Sequence, residues 1–124
     1  MKQLTKAEEQ VMQILWDLKE AVVKQVVDKF NDPKPAYTTV ATVLKVLQTK
    51  NIICSRKIGK TNLFSPLITK KEYTKFQFTS LLKNYFNGSF PQMATFFAKE
   101  NNLSIEDLER LLKDTEDQDK NTKL

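Results

Sequence analysis

Residue types on which many enzymes depend are absent or rare in this sequence of 124 residues. There is no histidine, which excludes Ser–His and Cys–His nucleophilic catalysis and removes most zinc sites. The two glycines are too few for either type of Gly-rich phosphate-binding loop. The single cysteine, Cys54, cannot form an internal disulfide, which is typical of a reducing compartment. These absences argue against an enzyme, and we expect no cofactor and no bound metal.

Long apolar runs are absent as well. No segment approaches the roughly 20 apolar residues that a membrane-spanning helix requires. The N-terminal residues MKQLTKAEEQ lack the apolar region of a secretory signal. A chain of this length suits one compact domain, or a small domain with an appendage. We therefore expect a cytoplasmic protein that does not insert into membranes.

Acidic side chains are missing from one long stretch of the chain. No Asp or Glu lies between Asp32 and Glu72, whereas eight basic residues do: Lys34, Lys45, Lys50, Arg56, Lys57, Lys60, Lys70 and Lys71. The net charge is +7 over residues 1–75 and −2 over residues 76–124. This asymmetry favours a head that binds a polyanion and a separate segment that does not. The alternative is that the basic residues only form a solvated surface.

The order of the predicted elements is that of a winged helix-turn-helix. Thr5 and Glu8 have the spacing of a capping box, and apolar residues at helical spacing follow them. Gly59 is suited to the first central position of a type II′ hairpin turn. The predicted elements are a first helix from Thr5, helices over 21–30 and 38–50, and strands over 52–58 and 61–65.

The third predicted helix has two distinct faces. One face is apolar and carries Val40, Val43, Leu44 and Leu47. The opposite face has no acid and presents Thr38, Ala41, Thr42, Lys45, Gln48 and Thr49. Short Thr and Ala side chains allow a helix to approach a DNA groove closely, and Thr can contact phosphates or base edges. A basic hairpin tip would lie on phosphates. The predicted DNA contacts are Tyr37, Thr38, Thr39, Thr42, Lys45, Arg56, Lys57 and Lys60.

The C-terminal part of the chain is predicted to be helical and rich in aromatic residues. Residues 73–97 contain eight of the twelve aromatic side chains. Aromatic residues are enriched at the centre of interfaces, which favours a homodimer, whereas the alternative is that they pack back onto the head. The predicted dimerisation residues are Phe76, Leu81, Leu82, Tyr85, Phe86, Phe96, Phe97, Leu108 and Leu111.

The predicted fold is therefore mainly α with a small antiparallel β-hairpin. A winged helix-turn-helix head is followed by a C-terminal helical dimerisation region. We place the DNA-binding domain over 1–68 and the dimerisation region over 69–113. Residues 114–124 are polar and are predicted to form a disordered tail.

Three segments resemble the BlaI/MecI penicillinase-repressor family, which includes the copper-responsive CopY repressors. The first, from Leu4 to Trp16, has the pattern LTxAExxVMxILW. The second is AYTTVATVL over 36–44, followed by Leu47 and Lys50, and the third contains Gly88 and FAK over 97–99. The resemblance extends over about residues 2–113. The copper-responsive members carry a C-terminal cysteine cluster that this chain lacks, so copper sensing is not expected.

The resemblance implies a dimeric winged-helix transcriptional repressor that binds dyad operators in double-stranded DNA. It also implies a membrane-embedded sensor protease as a partner, which relieves repression by cleaving the C-terminal region. The corresponding bond here is Phe96–Phe97. The alternative function is a winged-helix protein-interaction module without specific DNA binding. A small enzyme with Cys54 as nucleophile is disfavoured, because a nucleophilic thiol needs a neighbouring base or a helix N-terminus, whereas Cys54 is predicted to lie within a strand.

Overall fold

The computed structural model describes residues 2–102, 104, 106–107, 109–110 and 113–114. The chain divides into two compact units, residues 1–73 and residues 74–124, called here the first and the second unit. The elements are the helices α1 (Lys6–Leu18), α2 (Val23–Lys29), α3 (Tyr37–Thr49), α4 (Lys70–Tyr85) and α5 (Phe90–Glu100), and the strands β1 (Ile53–Ile58) and β2 (Thr61–Pro66). Within the described part of the chain, no helix is both long and apolar enough to cross a bilayer.

Helix α1 begins at the predicted capping box. The N–H of Glu8 donates to Thr5 Oγ1 at 3.2 Å, and Glu8 Oε1 accepts from the N–H of Thr5 at 2.8 Å. The two bonds satisfy backbone groups that the helix itself leaves unpaired at its first turn. Val11, Met12 and Leu15 then face the interior and are almost fully buried. The local sequence pattern therefore determines both where α1 begins and which face it buries.

The core of the first unit lies between α1, α2, α3 and the hairpin. Its most deeply buried large side chains are Val11, Met12, Leu15, Val26, Val40, Leu44, Leu47 and Ile53. Three of them belong to the predicted apolar face of α3, whose fourth member, Val43, is partly buried. Helices α2 and α3 pack against each other and both contact α1, which is the arrangement of a helix-turn-helix. The predicted winged-helix architecture is confirmed.

The hairpin is antiparallel and pairs Ile53 with Pro66 at its base and Ile58 with Thr61 at its tip. Gly59 has a φ of 62°, whereas Lys60 keeps a negative φ. This is the φ pattern of the predicted type II′ turn, in which glycine takes the positive φ at the least steric cost.

A backbone bridge ties the hairpin to the start of the helix-turn-helix. The N–H of Ala21 donates to the carbonyl of Phe64 at 2.9 Å, and the N–H of Phe64 donates to the carbonyl of Ala21 at 2.8 Å. Ala21 is therefore extended, although the sequence predicted it as helical, and α2 begins only at Val23. The two hydrogen bonds to β2 satisfy backbone groups that a helix would otherwise have used.

The first turn of α4 belongs to the first unit. Tyr73 is buried, its hydroxyl accepts the N–H of Leu4 at 3.0 Å, and its ring lies 5.9 Å from that of Trp16. The indole N–H of Trp16 donates to the carbonyl of Ile68 at 2.9 Å. The boundary between the two units therefore follows Tyr73, five residues beyond the 68/69 boundary that was predicted from the sequence. The functional domains assigned there remain a prediction.

The second unit contains the remainder of α4, and α5. Helix α4 ends at Tyr85. Asn87 and Gly88 follow it with positive φ, and the N–H of Gly88 donates back to the carbonyl of Leu82 at 2.8 Å. The ring of Phe86 lies 5.7 Å from that of Phe96 and 6.4 Å from that of Phe97. Ser104 and Asp107 form a capping box, in which the N–H of Asp107 donates to Ser104 Oγ and the N–H of Ser104 donates to Asp107 Oδ2. The predicted residues Leu108 and Leu111, and tail residues 115–124, lie outside the described part.

Candidate nucleic-acid interface

A groove of about 460 Å³ separates α3 from β2 in the first unit. It is lined by Val23, Tyr37, Thr38, Ala41, Thr42, Lys45, Gln48, Lys60, Thr61, Asn62 and Phe64. Five of the eight predicted DNA contacts therefore share one surface: Tyr37, Thr38, Thr42, Lys45 and Lys60. Thr39 is exposed on α3, and Arg56 and Lys57 lie on β1, but these three do not line the groove.

The buried face of α3 determines which residues line the groove. Since Val40, Leu44 and Leu47 point into the core, the residues on the other side of the helix are turned outward. The N-cap of α3 is Ala36, which has no side-chain acceptor for the first N–H groups of the helix. A helix N-terminus in this condition is suited to an anion such as a phosphate.

Two threonine hydroxyl protons on this face are already engaged. Thr42 Oγ1 donates to the carbonyl of Thr38 at 2.9 Å, and Thr49 Oγ1 donates to the carbonyl of Lys45 at 3.1 Å. A threonine bound in this way retains oxygen lone pairs as acceptors and a free methyl group. Thr42 can therefore accept a hydrogen bond or make an apolar contact without breaking a bond within the helix.

The hairpin places its cations on opposite faces. Lys57 pairs with Asn62 and lies on the same side of the ribbon as Phe64, which borders the groove. Arg56 lies on the other side, and its guanidinium is 3.7 Å from the carboxylate of Glu20. Both partners of this ion pair are largely exposed, and such pairs contribute about 0–1 kcal/mol.

The electrostatic character of the groove is positive. Among the described residues that line it, Lys45 and Lys60 are charged and none is acidic. Gln48, Thr61 and Asn62 also line the groove but are not among the predicted DNA contacts, although Gln48 lies on the predicted acid-free face of α3, two helical turns after Ala41. Asn62 could have been found from the predicted hairpin, because a two-residue turn at Gly59 and Lys60 places it opposite Lys57. The groove therefore offers both hydrogen-bonding groups and cations to a polyanion.

The second unit leaves large apolar side chains uncovered. Tyr85 is 76% exposed, Phe96 49% and Phe97 46%. Leu81 is also exposed, whereas Phe76, Leu82 and Phe86 are half-buried. Two further exposed aromatic residues, Phe78 and Phe90, were not selected from the sequence. Clusters of this kind on a small protein mark an interaction surface.

Cys54 is placed as a structural residue. Its side chain is half-buried, and its sulfur lies 3.3 Å from Ser65 Oγ, so the neighbouring group is a neutral hydroxyl. In the part of the chain that the structure describes, no three His, Cys, Asp or Glu side chains are grouped so as to hold a metal ion.

Comparison with known proteins adds three findings. The family model for the penicillinase repressor matches residues 4–117. A penicillinase repressor of Bacillus licheniformis is 25% identical over 110 residues, covering 88% of this chain and 86% of that protein. A solved structure described as the CopR repressor is 28% identical and covers 54% of this chain and 99% of that chain, with a TM-score of 0.46.

Proposed function

The chain belongs to the penicillinase repressor family, and on that basis we propose that it represses transcription as a homodimer bound to dyad operator DNA. Members of this family are transcriptional repressors and not enzymes, so repression is the function of this chain, as its sequence indicated. Because the proposed target is DNA, we place the protein in the cytoplasm.

The groove between α3 and β2 is the observation that carries the DNA-binding proposal. It is open and positively charged. The helix face that borders it carries the small side chains of Thr38, Ala41 and Thr42, which allow α3 to enter the major groove of DNA. We assign Thr38, Thr42 and Lys45 to bases or adjacent phosphates. Thr39 and Tyr37 lie at the uncapped start of α3 and would contact the DNA backbone.

The hairpin is assigned to phosphates on the flanking backbone. Lys57 and Lys60 lie at or near its tip, and their ammonium groups carry no base-specific hydrogen-bonding pattern. Arg56 would join them by exchanging the exposed carboxylate of Glu20 for a phosphate oxygen. The guanidinium of Arg56 and the carboxylate of Glu20 lie 3.7 Å apart and are both highly exposed, so breaking this ion pair costs little free energy.

The second unit is assigned to dimerisation. Its exposed aromatic side chains suit the apolar centre of a protein interface, and a second copy of the chain offers the same chemistry. The contacts would include the half-buried Phe76, Leu82 and Phe86 and the exposed Leu81, Tyr85, Phe96 and Phe97. A two-fold dimer would place two α3 helices roughly 34 Å apart, or a multiple of that distance, along the operator.

Relief of repression is assigned to cleavage of the bond between Phe96 and Phe97 by a membrane-embedded sensor protease. The bond lies inside α5, so its backbone is helical before cleavage. Because proteases bind extended chains, α5 must open locally before the bond can be cut. Cleavage there would separate aromatic residues assigned to the dimer, which explains how one cut weakens operator binding.

Selection of bound duplexes from a random DNA pool tests the proposal directly. We expect two inverted half-sites with a fixed spacing, and binding to them that weakens steeply with salt. Failure to bind any duplex at low salt would overturn the proposal and favour a protein-interaction module. A single half-site without a dyad would overturn the dimeric arrangement.

A further inference from the structure

Gln48 stands at the end of the α3 face that borders the groove, and its side chain is exposed. Within the described residues, no hydrogen bond engages its amide. A glutamine amide offers one acceptor and two donor hydrogens, which match the N6 amino group and the N7 atom of adenine in the major groove. The amide of Gln48 is therefore free to bind a base.

Two positions nearly two turns before Gln48 on α3 present methyl groups. Ala41 has only a methyl, and Thr42 donates its hydroxyl proton to Thr38, which leaves its methyl available. A methyl group in the major groove packs against the C5-methyl of thymine. Arginine, the side chain that most often binds guanine, is absent from α3, and Lys45 is its one cation.

We propose that α3 recognises A·T base pairs, with Gln48 binding adenine through its amide and Thr42 contacting thymine through its methyl. This assignment rests on the proposed operator binding and specifies which bases that binding selects. It makes Gln48 and Thr42 determinants of specificity, whereas the lysines of the hairpin supply affinity without sequence preference.

Duplexes with single modified bases test the two contacts separately. Replacing adenine by 7-deazaadenine removes N7, and replacing thymine by uracil removes only the methyl. Starting from the selected operator, we expect one adenine per half-site at which 7-deazaadenine weakens binding by about 5- to 150-fold. The variant Gln48→Ala should lose that sensitivity, whereas Gln13→Ala, an exposed glutamine of α1, should retain it.

Thr42→Ser is the matched variant for the methyl contact. Serine keeps a hydroxyl that can bond to the carbonyl of Thr38 and lacks only the methyl. We expect the wild-type protein to distinguish thymine from uracil at one position and Thr42→Ser to bind both equally. Folding of each variant is checked by its circular dichroism spectrum, which should match that of the wild-type protein.

The outcomes separate this inference from the function on which it rests. Operator binding with no sensitive adenine, or with the same sensitivity in Gln48→Ala, would overturn the assignment of Gln48 and leave repression intact. Enrichment of G·C pairs at the positions assigned to Gln48 and Thr42 would likewise overturn the assignment and leave repression intact. Absence of any enriched sequence would overturn both proposals.

Discussion

The ammonium group of Lys50 lies 2.7 Å from the carboxylate of Glu8 and joins the C-terminal end of α3 to the first turn of α1. The side chain of Glu8 is 5% exposed and that of Lys50 is 42% exposed. The same carboxylate also accepts the N–H of Thr5. One buried charge thus caps α1 and holds α3, the helix assigned to DNA.

Replacing Lys50 by methionine should destabilise the first unit. The change leaves a buried carboxylate without its charged donor, and we expect the free energy of unfolding to fall by about 1–3 kcal/mol. Urea denaturation measures the loss. Lys45→Met, on the exposed face of the same helix, is the control and should be close to neutral. Equal stabilities for the two variants would show that the ion pair contributes nothing.

Stability should fall at acidic pH because of Glu8. Burial raises the pKa of Glu8, but hydrogen bonds from Lys50 and Thr5 outweigh this, and the pKa lies below its ordinary value of 4.5. The folded state therefore holds this proton less tightly than the unfolded state. The contribution of ionised Glu8 to the free energy of unfolding is complete above pH 4.5 and is lost as the pH falls through the pKa of Glu8 in the folded state. Urea unfolding over this range should show a shallower decline for Glu8→Gln, and an identical decline would contradict the assignment.

Replacing Lys57 by alanine should weaken the binding of operator and of unrelated duplex by the same factor. A lysine on a phosphate releases one counterion, so the slope of log affinity against log salt should become shallower by about 0.9. Fluorescence anisotropy over a series of salt concentrations measures both effects. Lys83→Ala, in the second unit, removes the same charge at a residue that does not line the groove and should leave the slope unchanged. A loss confined to operator DNA would instead mean that Lys57 contacts a base.

Replacing Tyr85 by aspartate should dissociate the proposed dimer. Tyr85 is 76% exposed, so the change removes little packing within one protomer and buries a charge only in the interface. We expect dimer affinity to fall by at least about 30-fold, as for a central aromatic residue of an interface. Sedimentation equilibrium measures this, and Leu67→Asp, at an exposed apolar position of the first unit, is the control. An unchanged dimer would exclude Tyr85 from the interface.

Removing the N-cap of α5 should accelerate cleavage at Phe96–Phe97. Ser89 Oγ accepts the N–H of Gln92 at 3.2 Å, and loss of such a cap costs about 1 kcal/mol. Since cleavage requires an opened helix, Ser89→Ala should be cut up to about fivefold faster by the sensor protease. Ser104→Ala, which removes a cap outside α5, should not change the rate. Mass spectrometry of the fragments identifies the bond, and an unchanged rate for Ser89→Ala would contradict the opening step.

Features that depend on neighbours three or four residues apart could be predicted from the sequence. The capping box at Thr5, the buried face of α3 and the glycine turn at Gly59 all have this property. Their geometry is set by the regular spacing of a helix or a hairpin, whatever the remainder of the chain does. The same local logic identified Thr38, Thr42 and Lys45 as members of one surface.

Features that join distant parts of the chain were decided only by the tertiary structure. The Glu8–Lys50 ion pair spans 42 residues, and the hydrogen bond from Leu4 to Tyr73 spans 69. The second of these places the first turn of α4 in the first unit, although a boundary before that helix was the natural choice from the sequence. No local pattern contains the position of a partner so far away.

The sequence by itself determined which residues could meet DNA: a helix face without acids, and a basic hairpin. Tertiary packing decided how they are arranged. It put Gln48 and Asn62 on the walls of one groove, Lys57 on the same side of the hairpin as Phe64, and Arg56 on the other side beside Glu20. The physical reason is that charge and helical periodicity belong to the residues themselves, whereas the twist and docking of a hairpin depend on the core beneath it.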